Sequence, residues 1–295
     1  MRMARVRKRD DRRVAWWFVA PVLVGFAVFY AYPAIRGAWY SVTDYTMLGS
    51  PSFVGAKNYT DLVADKQFWS SLLVTAYYVL LNIASQTILA LGVAALMHRL
   101  TRSVVLRATL LVPWLVPNVT IGLLWMWLLD TNLGLVNHLL KSIGLGPVGF
   151  FTDASWAMPT VAGINTWAYT GYTALLLYAG MLQIPQHLYE SAAIDGVGEL
   201  RMFSRVTLPL LRPVLALVLV VSLIGSFQIF DTVAVTTKGG PVSATRVIYF
   251  YIYQQAFTYF HMGYAAAAAV FLALILGVFT FLQLRLLRAS RSDLA

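Results

Sequence analysis

Glu190 and Glu199, the only two glutamates of the chain, fall in one stretch that also carries Asp195, Arg201, Arg205 and Arg212. Carboxylates and guanidinium groups packed this closely are suited to ion pairing with a soluble partner. Ser191, Ala192 and Ala193 lie between Glu190 and Asp195 and are small, so a partner surface could approach closely while both acids stay available to its basic groups. Other chemistries lack their residues. There is no cysteine, hence no disulfide and no thiolate metal site. His98, His138, His187 and His261 are scattered, without the His-x-x-x-His spacing that holds zinc. No Gly-Lys dipeptide occurs, so the phosphate loop GxxxxGK[ST] is missing. The chain is therefore expected to carry no cofactor of its own, and any ATP would be handled by another subunit.

The elements that must position these residues are membrane helices. The chain is 59% apolar and 12% charged, with a mean hydropathy of +0.70, whereas soluble domains carry about 25% charged residues. A hydrocarbon core of about 30 Å takes roughly 20 apolar residues as a helix. Six stretches qualify, at 14–35, 71–97, 104–129, 156–181, 210–230 and 264–284. Lipid offers no partner to an open backbone, and a barrel would read as short alternating strands. The expected fold class is all-α and polytopic, with six transmembrane helices.

Lys and Arg set the orientation, because they concentrate in cytoplasmic loops. Seven precede span one (Arg2, Arg5, Arg7, Lys8, Arg9, Arg12, Arg13); Arg99, Arg102 and Arg107 lie between spans two and three. Arg201, Arg205 and Arg212 lie between spans four and five, and Arg285, Arg288 and Arg291 follow span six. Both termini are expected in the cytoplasm. The organisation is a basic N-terminus (1–13), a first span (14–35), an extracytoplasmic loop (36–70), a core (71–288) with a cytoplasmic elbow at 186–209, and a tail (289–295). The basic residues sit at span ends rather than along one soluble face, so the net charge of +10 does not point to nucleic acid. The first apolar run is too long for a cleaved signal peptide and reads as a signal anchor.

Ion-coupled carriers usually bury titratable groups in the bundle. Here Asp130, Asp153 and Asp231 are expected at or beyond span ends, so the driving force is expected from outside the membrane. A sodium site of carbonyls and hydroxyls stays open. The elbow supplies a route for that force. Pro185 ends span four, a helix over Gln186 to Asp195 stops at Gly196, and a second helix from Gly198 places Leu200, Phe203 and Val206 on one stripe before Pro209. Periodicity alone favours a solvated amphipathic loop helix.

Leu188 to Gly196 with Phe203 to Pro213 resembles the EAA loop of ABC-importer permeases, in the longer form seen in carbohydrate importers. Glu190, Gly196, Val206, Leu208 and Pro209 fall at matching spacing; Ser191 replaces the first alanine, Val206 the isoleucine, and Val197 and Leu200 also depart. Phe53-Val54-Gly55 with Asn58-Tyr59, Pro113-Trp114 with Pro117, Gly134 to Asn137, Phe227 to Asp231 and Gly239-Gly240-Pro241 look like the first permease subunit of sugar importers. The resemblance implies the MetI-like fold of type I ABC-importer permeases and a non-catalytic role. It implies a second homologous permease subunit, two copies of a cytoplasmic ATPase subunit and an extracytoplasmic sugar-binding protein. It assigns ATPase coupling to Glu190, Ser191, Ala192, Asp195, Gly196, Phe203, Leu208 and Pro209.

For the cargo, the same pattern points to spans four and five. Asn165, Tyr169 and Tyr172 are spaced i, i+4, i+7 on one helix face; Ser222, Gly225 and Ser226 share a face of span five, with Gln228 close by. Amide, hydroxyls and flat rings suit a neutral sugar, which needs hydrogen bonds and offers C–H faces for stacking. The alternative is that these polar groups only join helices. An anionic cargo such as glycerol 3-phosphate would call for a cationic partner or a helix N-terminus, and none of these positions is Lys or Arg. An ion-coupled carrier and a membrane-embedded enzyme are the readings from other classes; the paired broken helices of the first and the acid, base and nucleophile of the second are not evident in the sequence.

Overall fold

The computed structural model describes residues 10–100 and 103–289. Arg2, Arg5, Arg7, Lys8, Arg9, Arg102 and Arg291, and the tail after Ala289, lie outside the described residues. The fold is all-α: among the described residues the sole β pairing is an isolated bridge between Thr43 and Phe53. In chain order the helices are α1 (Asp10–Phe26), α2 (Tyr32–Tyr40), α3 (Lys57–Ala64), α4 (Lys66–Leu100), α5 (Val104–Leu115), α6 (Asn118–Leu128) and α7 (Leu135–Ser142). They continue with α8 (Ala154–Met181), α9 (Gln186–Ile194), α10 (Glu199–Met202), α11 (Leu208–Phe227), α12 (Asp231–Val235), α13 (Ile248–Tyr253) and α14 (Met262–Ala289). Wider π turns at Ala27–Ala31, Phe203–Thr207 and Gln254–Thr258 join α1 to α2, α10 to α11, and extend α13.

Among the described residues, four helical runs are long and apolar enough to cross a membrane: Ala15–Tyr40, Lys66–Leu100, Glu199–Val235 and Met262–Gln283. The span expected at 104–129 is not one straight helix. Val116 is extended (φ −82°, ψ 134°), as the residue before a proline prefers, Pro117 caps α6, and α5 and α6 meet at 90°. The run expected at 156–181 is α8, which at 28 residues is long enough to span but is not among the four apolar runs; more than half of its residues are buried, among them Asn165, Thr166 and Thr173.

The chain forms two compact units, one from Met1–Ala64 with Ile252–Leu274, the other from Asp65–Tyr251 with Ile275–Ala295. In the first, the buried Asn58 amide donates to the carbonyls of Ser41 (2.9 Å) and Thr43 (2.8 Å), and the Tyr59 and Ser41 hydroxyls are bonded at 2.7 Å. Asn58 and Tyr59 are thereby accounted for as loop clamps. In the second unit, α4 and α8 lie side by side through small residues. Ala90, Ala94 and Ala174 are wholly buried with Leu177, Met181, Leu211 and Val218. A Cβ on Gly171 would collide with the Leu110 carbonyl of α5, so only glycine lets these backbones approach. After α6, the buried Asn137 accepts from the Val148 amide (2.7 Å) and donates to the carbonyls of Val148 and Asp130. The amides of Leu133 and Asn132 hold the Asp130 carboxyl below the usual carboxylate range.

Candidate functional site

The second unit encloses a cavity of about 420 Å³. Its walls come from five elements: α4 (Tyr78, Asn82, Gln86), the bend between α5 and α6 (Trp114, Asn118), α8, α11, and the broken segment running from Gln228 into α12. All seven positions expected to face cargo, Asn165, Tyr169, Tyr172, Ser222, Gly225, Ser226 and Gln228, line it. They differ in what is left to offer. Asn165 is buried, donating to the Val161 carbonyl (2.9 Å) and meeting the Thr232 hydroxyl at 3.3 Å, which ties α8 to α12. Ser226 accepts from Asn82 (3.0 Å) and ties α11 to α4. Asn82 also meets Gln86 (3.3 Å) and accepts from Thr166 (3.3 Å), and Gln86 donates to Thr173 (2.7 Å). Those two positions therefore join helices, as the packing alternative has it, while Tyr172, Ser222, Gly225 and Gln228 keep partial exposure.

Tyr172 stacks on Trp114, ring centroids 4.5 Å apart and planes 10° apart, making one flat apolar wall. Asn118, in the first turn of α6, lies between the Tyr169 hydroxyl (3.2 Å) and Asp231 Oδ2 (3.5 Å). Gln228 bonds Tyr249; burial raises the Tyr249 hydroxyl above its ordinary value and this hydrogen bond draws it partly back. A Cβ on Gly225 would meet nothing within 4 Å, so this stretch of wall is open.

Asp231 departs from expectation in what it faces. It follows the end of α11, at the position expected, but opens α12 and lines the cavity, so that wall is not free of charge. The helix breaks at Gln228–Phe230, with Phe230 at φ −144° and ψ −58°, and each residue from Gln228 to Thr232 reaches the cavity. The other lining residues missed from sequence are Tyr78, Asn82, Gln86, Trp114, Asn118, Thr173 and Thr232, with the apolar Val221, Ile229 and Phe230. The i, i+4, i+8 spacing of Tyr78, Asn82 and Gln86 in an apolar helix was the available cue.

The elbow is built as follows. Pro185 caps α9 and Asp195 ends it. Gly196 is left-handed (φ +70°), so its amide reaches the Ala193 carbonyl (3.0 Å) and that of Val197 the Ala192 carbonyl (3.0 Å), the double closure of a Schellman cap. Glu190, Ser191 and Asp195 are exposed and Ala192 is half-buried. The second part is not a separate short helix: α10 passes through the π turn into α11. That wider turn shifts the register, so the expected stripe divides, Leu200 being 87% exposed while Phe203 and Val206 are half-buried. Phe203 packs on the cluster around Ala90 and Leu211, and Leu208 and Pro209 open α11. The Tyr189 and Thr207 hydroxyls meet at 3.2 Å and bridge the two arms. Glu199 forms an ion pair with Arg99 at the end of α4, leaving Glu190 and Asp195 as the outward acids.

Residues 86–292 match the family described as binding-protein-dependent transport system inner membrane component. The chain belongs to this family. It is 33% identical over 277 residues to the trehalose/maltose transport system permease protein MalF of Thermococcus litoralis, covering 93% of this chain and 92% of that one. It is 32% identical over 278 residues to the sn-glycerol-3-phosphate transport system permease protein UgpA of Escherichia coli O157:H7, covering 93% and 94%. The fold matches a bacterial ABC transporter involved in the import of the acidic polysaccharide alginate, with a TM-score of 0.82 at 25% identity over 96% of this chain and 99% of that chain. This inner membrane component is thus a multi-pass permease subunit of an ABC importer of the carbohydrate-uptake group, and its transport depends on a binding protein.

Proposed function

We propose that this permease forms half of the translocation path for a neutral sugar, coupled to a separate ATPase through the 186–209 elbow. The observation that carries the reading is the 420 Å³ cavity walled by amides, hydroxyls and a stacked Trp114–Tyr172 pair, with no Lys or Arg among its lining residues. Such a wall hydrogen-bonds hydroxyls and stacks C–H faces, but offers no cation to a phosphate. Permeation of a phosphorylated polyol is the second reading, favoured by the likeness to the glycerol-3-phosphate permease.

The family likeness supports the remaining assembly. A second homologous permease completes the path, two copies of a cytoplasmic ATPase subunit dock on the two elbows, and an extracytoplasmic binding protein delivers the sugar. The chain is non-catalytic and carries no cofactor; ATP and Mg belong to the ATPase. Six spans with both termini in the cytoplasm place the elbow on the ATPase side. Glu190 and Asp195 face basic groups of the motor, small Ser191 and Ala192 permit close approach, and Gly196 shapes the turn. Phe203, Leu208 and Pro209 transmit its movement into α11, whose far end lines the cavity, as rigid-body rocking about a central site.

The test is purification of the assembled complex, identification of its sugar with a screen on the extracytoplasmic partner, and reconstitution into vesicles. Uptake of that sugar that requires ATP is expected. Uptake by this chain alone, without nucleotide, would overturn the reading in favour of an ion-coupled carrier.

A further inference from the structure

Another concavity lies behind the cavity-facing side of α8. Asn165, Tyr169 and Tyr172 line the cavity, whereas Trp156, Gly163 and Trp167 of the same helix join Trp125 of α6 and Phe150 of the preceding loop around a groove of about 300 Å³. At about 3.6 residues per turn the two sets stand about 180° apart, so α8 faces the cavity on one side and the groove on the other. The rings brace one another edge to face, Trp125 on Trp167 with centroids 5.5 Å apart and Phe150 on Trp156 at 6.2 Å. Trp156, Gly163 and Trp167 are exposed, and a Cβ on Gly163 would meet nothing within 4 Å, so no side chain of this protein covers the floor. The walls are almost wholly carbon, and the Trp125 indole N–H is enclosed rather than presented, so a sugar finds little to bond. Membrane helices approach one another through small residues. Here the small residue stands between two projecting indoles, which hold a helix of about 10–12 Å diameter off the floor.

We propose that this groove is a binding site for one acyl chain of a membrane phospholipid, which enters beside Trp156 and lies over Gly163 against Trp125 and Trp167. Trp156 stands in the first turn of α8, next to the Asp153 cap, as tryptophans do at a membrane boundary. From there to Trp167 the helix rises roughly 16 Å, a path from headgroup level into the hydrocarbon. An acyl chain is thin enough to pass between the indoles and supplies the dispersion contacts that an unfilled apolar groove forfeits. Seated there, it wedges α6 against the back of the helix whose front carries Asn165, Tyr169 and Tyr172. The site does not depend on what the cavity transports.

The test uses the whole complex in phosphatidylcholine vesicles that contain a small share of phosphatidylcholine with a photoactivatable diazirine at mid-chain. After illumination, the labelled residues of this subunit are located by peptide mass spectrometry. Label is expected to concentrate on the groove residues, above the level on the lipid-facing side of α14. Gly163→Leu places a side chain along the floor, where the Cβ has open space and leucine favours the helix; it is expected to lower groove labelling about tenfold by taking the contacts of the acyl chain. Gly163→Ala adds a single methyl and should keep most of the label. Assembly of each variant is followed by size exclusion, and the parent's label distribution stands whether or not a variant assembles. Label spread evenly over α14 and the groove, or equal labelling in the parent and an assembled Gly163→Leu, means ordinary surrounding lipid and overturns the proposal. A labelled α14 with an unlabelled groove means that another subunit covers it, and overturns the proposal as well.

Discussion

Replacing Gly196 isolates the elbow from every other part of the machine. Its φ of +70° is left-handed, and a Cβ there would meet nothing within 4 Å, so a substitution acts through backbone strain alone. For an ordinary L-residue that strain is roughly 1–2 kcal/mol, a shift of about 5- to 30-fold out of the capped conformation. The two cap bonds, from Gly196 to Ala193 and from Val197 to Ala192, go with it. At nine residues α9 is too short to hold itself without them. Gly196→Val should therefore lower ATP-driven uptake, and binding-protein stimulation of ATP hydrolysis, by at least about that 5- to 30-fold. Gly196→Ala should fall between, and Gly196→Asn closest to the parent because asparagine tolerates the left-handed region. Gly198→Ala is the control: Gly198 is extended (φ −65°, ψ 156°) and equally uncrowded, so its activity should hold. The assay is reconstituted complex, with assembly followed by size exclusion. Parental activity in Gly196→Val, or an Asn variant no better than Val, would refute the coupling role of this turn.

Two further outcomes follow from the same geometry. Glu190→Lys reverses an exposed charge with no structural partner among the described residues, so the chain should insert and fold as before while ATP-stimulated transport is lost; normal uptake would remove Glu190 from docking. Tyr172→Phe, which keeps the ring on Trp114, and Asn165→Leu should separate the two kinds of cavity residue: the first lowers sugar uptake at unchanged thermal stability, whereas the second costs about 0.6–2 kcal/mol of stability by cutting the tie to Thr232. Equal loss of stability in both, measured by thermal unfolding of the purified complex, would contradict that division.

Much of the fold was legible because its determinants are local. Helices at 66–100, 154–181 and 262–289 lie within a few residues of the apolar runs read from hydropathy, since a membrane leaves the backbone little alternative. Gly196 could be read as a helix stop because a left-handed cap needs a glycine at that one position. The bend at Val116–Pro117 had a local cue too, but apolar continuity across 104–129 concealed it.

What the chain order alone determined was class, family and the charged elbow, all written as composition and fixed spacing along the backbone. The tertiary structure decided which polar groups look at cargo and which at one another. Asn165 and Ser226 share the faces of Tyr172 and Ser222, yet Thr232 and Asn82, from remote segments, take up the first pair. Asp231 became part of the wall only because α11 breaks before it and the bent α5–α6 corner brings Asn118 against it. Helix rotation and breakage depend on close approaches such as Gly171 to Leu110, between residues far apart in sequence, and no local pattern records them.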